Sequence, residues 1–301
     1  MFRGILVPTL TPRAADGGVD EDALRSHADW LIGKGVHGLY PNGSTGEGVR
    51  LTAEERRRVT RATCEAAAGR VPVLTGVGGA NLSETLAECE HAAECGAAAV
   101  AVTAPVYFRP SPEAIEEHFR RLAAESPVGV LVYNIPSFAV PIPVEVTVRL
   151  AKEQPNVVGV KDSSGDVSAM VRLCSQILPE RPDFAILTGW DAALLPMLAA
   201  GAQGGTNATA NAAPELVVEV YDRFQAGDWD AARQAQWRLT TLFDAQIGVG
   251  EFPDGIRLAA EARGALPPVE PRLPQPAAAV DGHAEARRTL AAALSAAGVG
   301  A

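Results

Sequence analysis

The stretch Asn156-Val157-Val158-Gly159-Val160-Lys161-Asp162-Ser163-Ser164-Gly165 is apolar up to Lys161 and small and polar beyond it. A short apolar run bounded by turn residues reads as a strand buried on both faces, the kind that parallel sheets covered by helices are made of. Lys161 then falls where the strand gives way to its loop. Of 26 basic residues only Lys34, Lys152 and Lys161 are lysines, leaving 26 − 3 = 23 arginines. A mutational bias toward arginine would produce the same ratio. Arginine stays charged and forms no imine, whereas a lysine taken out of water loses its proton more readily and attacks carbonyls. Lys34 sits in a Gly-Lys-Gly turn and Lys152 at a polar helix end, so both read as solvated.

Working outward, strand and helix alternate along the chain. Residues 2–10 read as a strand and 20–33 as a helix with an acidic first turn and a glycine stop. Strand 38–41 precedes a helix opened by the Thr52-x-x-Glu55 capping box, and strand 71–75 precedes one capped by Asn81 or Ser83. Strand 97–103 leads to a helix begun by Ser111-Pro112. Strand 128–133 pairs with helix 143–153, and the Lys161 strand with helix 166–178. Strand 184–188 goes with helix 191–200, and strand 202–207 with helix 214–226. Eight pairs in this order predict a (β/α)8 TIM barrel, an α/β fold, rather than an open sheet. The barrel is assigned to residues 1–226. Residues 227–301, alanine-rich and interrupted by the prolines between 267 and 274, read as a C-terminal helical extension packed on it.

Bulk properties narrow the function. A formal charge of −10 provides no basic surface for nucleic acid or anionic lipid. No apolar run reaches membrane-spanning length, so a soluble, cytoplasmic protein with no membrane partner is expected. Four cysteines without a Cys-x-x-Cys pair and five scattered histidines suggest neither a disulfide scaffold nor a metal site.

In such a barrel the strands all end at one face, where chemistry is assembled. That rule gathers Thr9, Tyr40, Ser44, Thr45, Tyr107, Tyr133, Lys161, Ser163, Gly189 and Asp191 around one opening. Gly43-Ser44-Thr45-Gly46 offers amides and two hydroxyls suited to an anionic group. It also fits an ordinary strand–helix turn, and it lacks the endings of nucleotide-binding loops.

Gly43-Ser44-Thr45-Gly46-Glu47, Tyr133-Asn134-Ile135-Pro136 and Val158-Gly159-Val160-Lys161-Asp162 together resemble the motifs of the dihydrodipicolinate synthase and N-acetylneuraminate lyase family of class I, pyruvate-dependent aldolases. The resemblance extends over residues 3 to 276. It implies a homodimer or homotetramer in which Lys161 forms an imine with pyruvate or another 2-oxo acid, an aldehyde being the second partner. Lys161, Tyr133, Thr45 and Tyr107 make up the implied catalytic set, Tyr107 acting across a subunit contact. Ser44, Thr45, Ser163, Gly189, Asp191 and Thr206 make up the implied substrate-binding set. No cofactor and no metal are implied, because a protonated imine is itself the electron sink.

Within the family, the synthases carry an arginine two residues after Tyr-Asn-x-Pro to grip the carboxylate of their aldehyde substrate, and Phe138 stands there in this chain. Gly189-Trp190-Asp191 looks more like the Gly-aromatic-Asp of the sialic acid lyases and 2-keto-3-deoxy sugar acid aldolases, although Ala192 replaces the usual following Glu. The sequence thus points toward a lyase acting on a 2-keto-3-deoxy sugar acid. Dihydrodipicolinate synthesis and sugar-acid dehydration through the same imine are the alternatives. Arg109 is a further candidate for the missing cation.

Overall fold

Gly204 has no room for a side chain, because a Cβ there would lie 2.0 Å from the carbonyl oxygen of Gly4. This close approach is where the first and last strands of the ring meet. In the computed structural model, which describes residues 2–14, 16–268 and 282–300, the strands are β1 (Gly4–Val7), β2 (Gly38–Leu39), β3 (Leu74–Val77), β4 (Ala99–Thr103), β5 (Gly129–Asn134), β6 (Val157–Asp162), β7 (Ala185–Thr188) and β8 (Gly204–Gly205). All pair in parallel in the order β2-β1-β8-β7-β6-β5-β4-β3. A single parallel bridge, Leu39 to Val73, joins the two ends and completes the barrel.

The helices between the strands are α1 (Glu21–Gly33), α2 (Ala53–Ala67), α3 (Leu82–Glu94), α4 (Pro112–Glu125), α5 (Val144–Glu153), α6 (Val167–Ile177), α7 (Leu194–Ala199) and α8 (Pro214–Gln225). Asp20, Thr52, Asn81, Ser111 and Asp166 each cap a helix by accepting a backbone N–H, which satisfies donors that the first turn leaves unpaired. The Thr52–Glu55 capping box forms as its spacing predicts, and of the two candidates for α3 the cap is Asn81. The third strand is displaced from the expected 71–75. Pro72 has no N–H for a ladder, and its carbonyl instead accepts the Leu39 N–H at the closing bridge. Helix 191–200 opens with a 3-10 turn, Asp191–Ala193, before α7.

Inside the ring, Leu6, Tyr40, Leu74, Ala99, Ala101, Leu131, Ala185 and Leu187 form a narrow buried cluster, so the lower barrel is solid. Outside it, valines and leucines of the strands pack against the helices.

The C-terminal part is bound tightly to this frame. Ala235, Leu239 and Leu242 of α9 (Trp229–Ile247) and Ile256 and Leu258 of α10 (Asp254–Ala262) share one buried cluster with Ile5, Val7 and Leu194. Buried Gln236 of α9 accepts the Leu195 N–H at 2.8 Å and donates to the Asp191 carbonyl at 3.0 Å, which latches α9 to the turn after β7. A last helix, His283–Ala296, is tied to α10 by Arg287 and Glu261 at 2.7 Å. Most of the proline segment expected to interrupt this region, from residue 269, lies outside the described residues.

Candidate active site

Sheet register places Tyr133 of β5 directly beside Lys161 of β6, and Asn134 directly beside Asp162. Because side chains alternate along a strand, the first pair turns inward above Leu131 and the second pair turns away from it. Asn134 Nδ2 donates to Asp162 Oδ2 at 2.7 Å, and Asn134 Oδ1 accepts the Ile142 N–H at 3.0 Å. Asp162 Oδ1 in turn accepts the Ser164 N–H at 2.9 Å. The polar residues that follow Tyr133 and Lys161 therefore clip the two strand ends together. Asn134 and Asp162 carry no signal of this role in the sequence, since only the register makes them face each other.

Lys161 is buried within the strand, 3 % exposed, rather than reaching the surface with it. Its Nζ lies 4.1 Å from the centre of the Tyr133 ring and 4.5 Å from that of Tyr40. Burial lowers its pKa from the ordinary lysine value, partly opposed by the Tyr133 hydroxyl and the Asp191 carboxylate. Lys34 and Lys152 are paired near the surface with Glu215 and Glu180. Burial pushes the thiols up, Cys64 to about 12 and Cys89 and Cys174 to about 11, and raises Cys95 as well.

The Gly43–Thr45 turn approaches from the end of β2. Ser44 Oγ lies 3.2 Å from the Tyr133 hydroxyl oxygen, close enough for a hydrogen bond in either direction. The turn is packed rather than flexible. A Cβ on Gly46 would meet the Thr9 carbonyl at 2.6 Å, and one on Gly48 would meet the Asn42 carbonyl at 2.1 Å. Buried Asn42 donates to the Arg56 carbonyl at 2.9 Å and to Thr60 Oγ1 at 3.0 Å, which fixes the start of the turn. On the opposite side, a Cβ on Gly189 would lie 2.0 Å from Ser163 Oγ and 2.9 Å from Lys161 Cε, so glycine is required there for both side chains to fit.

These residues line a cleft of about 210 Å³ that ends on Lys161. Of the expected site residues, Ser44, Thr45, Tyr133, Lys161, Ser163, Gly189, Asp191 and Thr206 all reach it. Thr206 Oγ1 is buried with no hydrogen-bond partner among the described residues. Asp191 is also buried, its oxygens accepting the backbone N–H groups of Thr209 at 2.9 Å and Ala208 at 3.3 Å, and burial raises its pKa. Tyr107 does not reach the cleft. It is 91 % exposed at φ 79°, lining a separate depression with Arg109, and Phe138 borders both spaces. Arg109 lines that depression and not the cleft. Phe243, Ile247 and Phe252 line the cleft from the C-terminal part, which the sequence gave no reason to bring there. Among the described residues no three His, Cys, Asp or Glu side chains gather as metal ligands, and no helix is long and apolar enough to cross a membrane.

A buried lysine beside a tyrosine at the strand-end face of a (β/α)8 barrel is the arrangement expected of the class I aldolases. The model of the dihydrodipicolinate synthetase family matches residues 1–297, and the chain belongs to that family and is a lyase. It is 36% identical over 271 residues to an uncharacterized DapA-like lyase of Thermofilum pendens, covering 90% of this chain and 89% of that protein. To the 4-hydroxy-tetrahydrodipicolinate synthase of Phenylobacterium zucineum it is 42% identical over 246 residues, covering 81% and 82%. Among solved structures it is similar to YagE, a prophage protein of E. coli K12 crystallised with pyruvate. That match has a TM-score of 0.90 and 28% identity, with all of both chains covered.

The depressed amine has a measurable signature. Only neutral lysine attacks a carbonyl, so the rate of imine formation with pyruvate should rise with pH and level off at a midpoint below the ordinary lysine value of about 10.4. Stopped-flow rates across pH 6–11 locate the midpoint. A midpoint at or above the ordinary value would mean that Lys161 is not the desolvated nucleophile.

Proposed function

We propose that the protein makes or breaks a carbon–carbon bond of a 2-oxo acid through an imine on Lys161, with pyruvate as the common product or donor. The observation that carries this reading is the buried Lys161 amine set against Tyr133 by the β5–β6 register. In the proposed sequence, Lys161 Nζ attacks C2 of the 2-oxo acid, and water leaves from the carbinolamine to give a protonated imine. In the cleaving direction the C4 hydroxyl proton is removed and the C3–C4 bond breaks. Its electron pair enters the iminium, an aldehyde departs, and C3 of the enamine takes up a proton. Water then hydrolyses the imine, returning Lys161 and pyruvate.

Each role has its support in the cleft. Ser44 and Thr45 offer hydroxyls and turn amides to the substrate carboxylate, and Thr206 adds a buried hydroxyl without a partner among the described residues. Tyr133, within 3.2 Å of Ser44 Oγ, is suited to carry the proton between cleft and substrate. Dihydrodipicolinate synthesis would need a cation for a second carboxylate, and among the described residues no arginine lines the cleft. A 2-keto-3-deoxy sugar acid keeps Ser163 and Thr206 as hydroxyl partners, but its expected acceptor, Asp191, is already engaged by two backbone amides. We place the reaction in the cytoplasm, consistent with four free cysteines and no membrane-spanning helix among the described residues.

We further propose a homodimer or homotetramer in which Tyr107 lies at a subunit contact. Its left-handed backbone costs of order 1–3 kcal/mol and would be held there by a partner. Together with exposed Phe108 it forms an apolar aromatic pair, ring centres 5.0 Å apart, that the single chain leaves in solvent. Light scattering should give a mass of at least twice 31.4 kDa. An active monomer would remove this role for Tyr107.

The catalytic reading is tested by screening 4-hydroxy-2-oxo acids for pyruvate release. Tyr133→Phe should fold normally and lower kcat by roughly 10²–10⁴-fold, the usual loss for a proton-transfer group. Near-normal turnover of this variant would leave Tyr133 a packing residue, and consumption of substrate with no pyruvate would indicate a dehydratase.

A further inference from the structure

Besides the hydroxyl residues and Lys161, the cleft is lined by Ile135, Phe138, Trp190, Phe243, Ile247 and Phe252, with Ser137 the one hydroxyl set beside Phe138. These side chains come from the β5 loop, the turn after β7, α9, and the loop between α9 and α10. They are organised as two aromatic pairs. Phe138 and Phe252 have ring centres 5.4 Å apart at 47°, and Trp190 meets Phe243 edge-on at 5.7 Å. Phe138 and Ile247 remain 58 % and 46 % exposed, so the apolar surface opens outward instead of closing on itself.

Charge is nearly absent from this space. Lys161 and Asp191 are the only charged side chains that line it among the described residues, the first reserved for the carbonyl and the second engaged by the amides of Ala208 and Thr209. The volume of about 210 Å³ lies below the roughly 300–1,000 Å³ of sites for drug-sized ligands, so what fits beyond pyruvate is small.

We propose that the group carried on the aldehyde carbon is an aryl or branched alkyl group, held between the Phe138–Phe252 and Trp190–Phe243 pairs. This assignment of substrate class rests on the imine reading above. In the condensing direction the enamine carbon of pyruvate bonds to the aldehyde carbon. One proton leaves the pyruvate methyl group and one is gained by the new alkoxide, so no oxidant or reductant is needed. A polyhydroxylated chain in the same place would give up water for ring faces that offer no hydrogen bonds in return, and an aldehyde bearing a carboxylate would lose more. An apolar ring loses nothing of the kind, and its flat faces match those of the walls. Discrimination by apolar pockets is about 10- to 200-fold for a single methylene, and a phenyl group offers several carbons to such a pocket.

The test compares kcat/KM for benzaldehyde, glyceraldehyde and aspartate semialdehyde, each with pyruvate. Benzaldehyde should exceed both others by at least about 10-fold, and Phe252→Ser should bring the ratio to glyceraldehyde close to one. Phe138→Ser, at a more exposed position, should shift the ratio in the same direction and serves if Phe252→Ser does not fold. Exchange of the pyruvate methyl protons in D2O, followed by NMR without any aldehyde, reports imine and enamine independently of the acceptor. Absence of exchange would defeat the imine reading and the aryl assignment with it. Exchange accompanied by equal or greater use of glyceraldehyde or the semialdehyde, by turnover of no aldehyde, or by an unchanged ratio in both serine variants would overturn the aryl assignment alone.

Discussion

The site depends on the register between β5 and β6. One residue of slip would carry Tyr133 or Lys161 to the opposite face of the sheet, because side chains alternate at every step. The ladder alone specifies this register weakly, and the pair irregularity between Val130 and Leu131 shows that it already shifts lower down. At the upper end the Asn134–Asp162 hydrogen bond fixes it, with Ile142 and Ser164 supplying further backbone donors to the two side chains. Tyr133 and Lys161 on the inner face are thus held in place by Asn134 and Asp162 on the outer face. The fold spends four adjacent positions on one geometric relation.

Burying Lys161 has a thermodynamic consequence. A group whose folded-state pKa is depressed favours folding most above its unfolded value, near 10.4, and loses that contribution as pH falls through the folded value. At neutral pH the lysine is therefore a burden on stability rather than a support. The surrounding barrel accommodates it because the interior cluster beneath and the helical clusters outside are apolar and closely packed. The aromatic faces of Tyr40 and Tyr133 soften the environment of the ammonium without making it wet. A functional residue is expected to oppose the local rules that the rest of the chain obeys.

Much of this was legible in the sequence, for reasons that differ by element. The eight strand–helix pairs showed because caps and apolar runs are local signals, as at Thr52–Glu55 and Ser111-Pro112. Lys161, Tyr133, Ser44 and Thr45 showed because they stand at or just past the ends of strands, and a parallel barrel brings all strand ends to one face. What stayed hidden was orientation and long-range contact. Nothing local indicates that Asp191 turns its oxygens to the amides of residues 208 and 209, or that Tyr107 stands clear of the cleft in the single chain. Nor does the periodicity of α9 tell that Phe243 and Ile247 reach back over the β7 turn, where the Gln236 latch to Leu195 and Asp191 carries them. The third strand was misplaced because Val71-Pro72-Val73 looks like a strand locally, while its tertiary role is to close the ring.

The central claim is that a single buried amine does the chemistry. Reduction with borohydride in the presence of pyruvate, followed by peptide mapping, tests it directly, because only an imine is captured and its position is read from the mass shift. The account predicts an adduct on Lys161 and none on Lys34 or Lys152, which are ion-paired near the surface. An adduct on either of those two, or none with any 2-oxo acid, would contradict it.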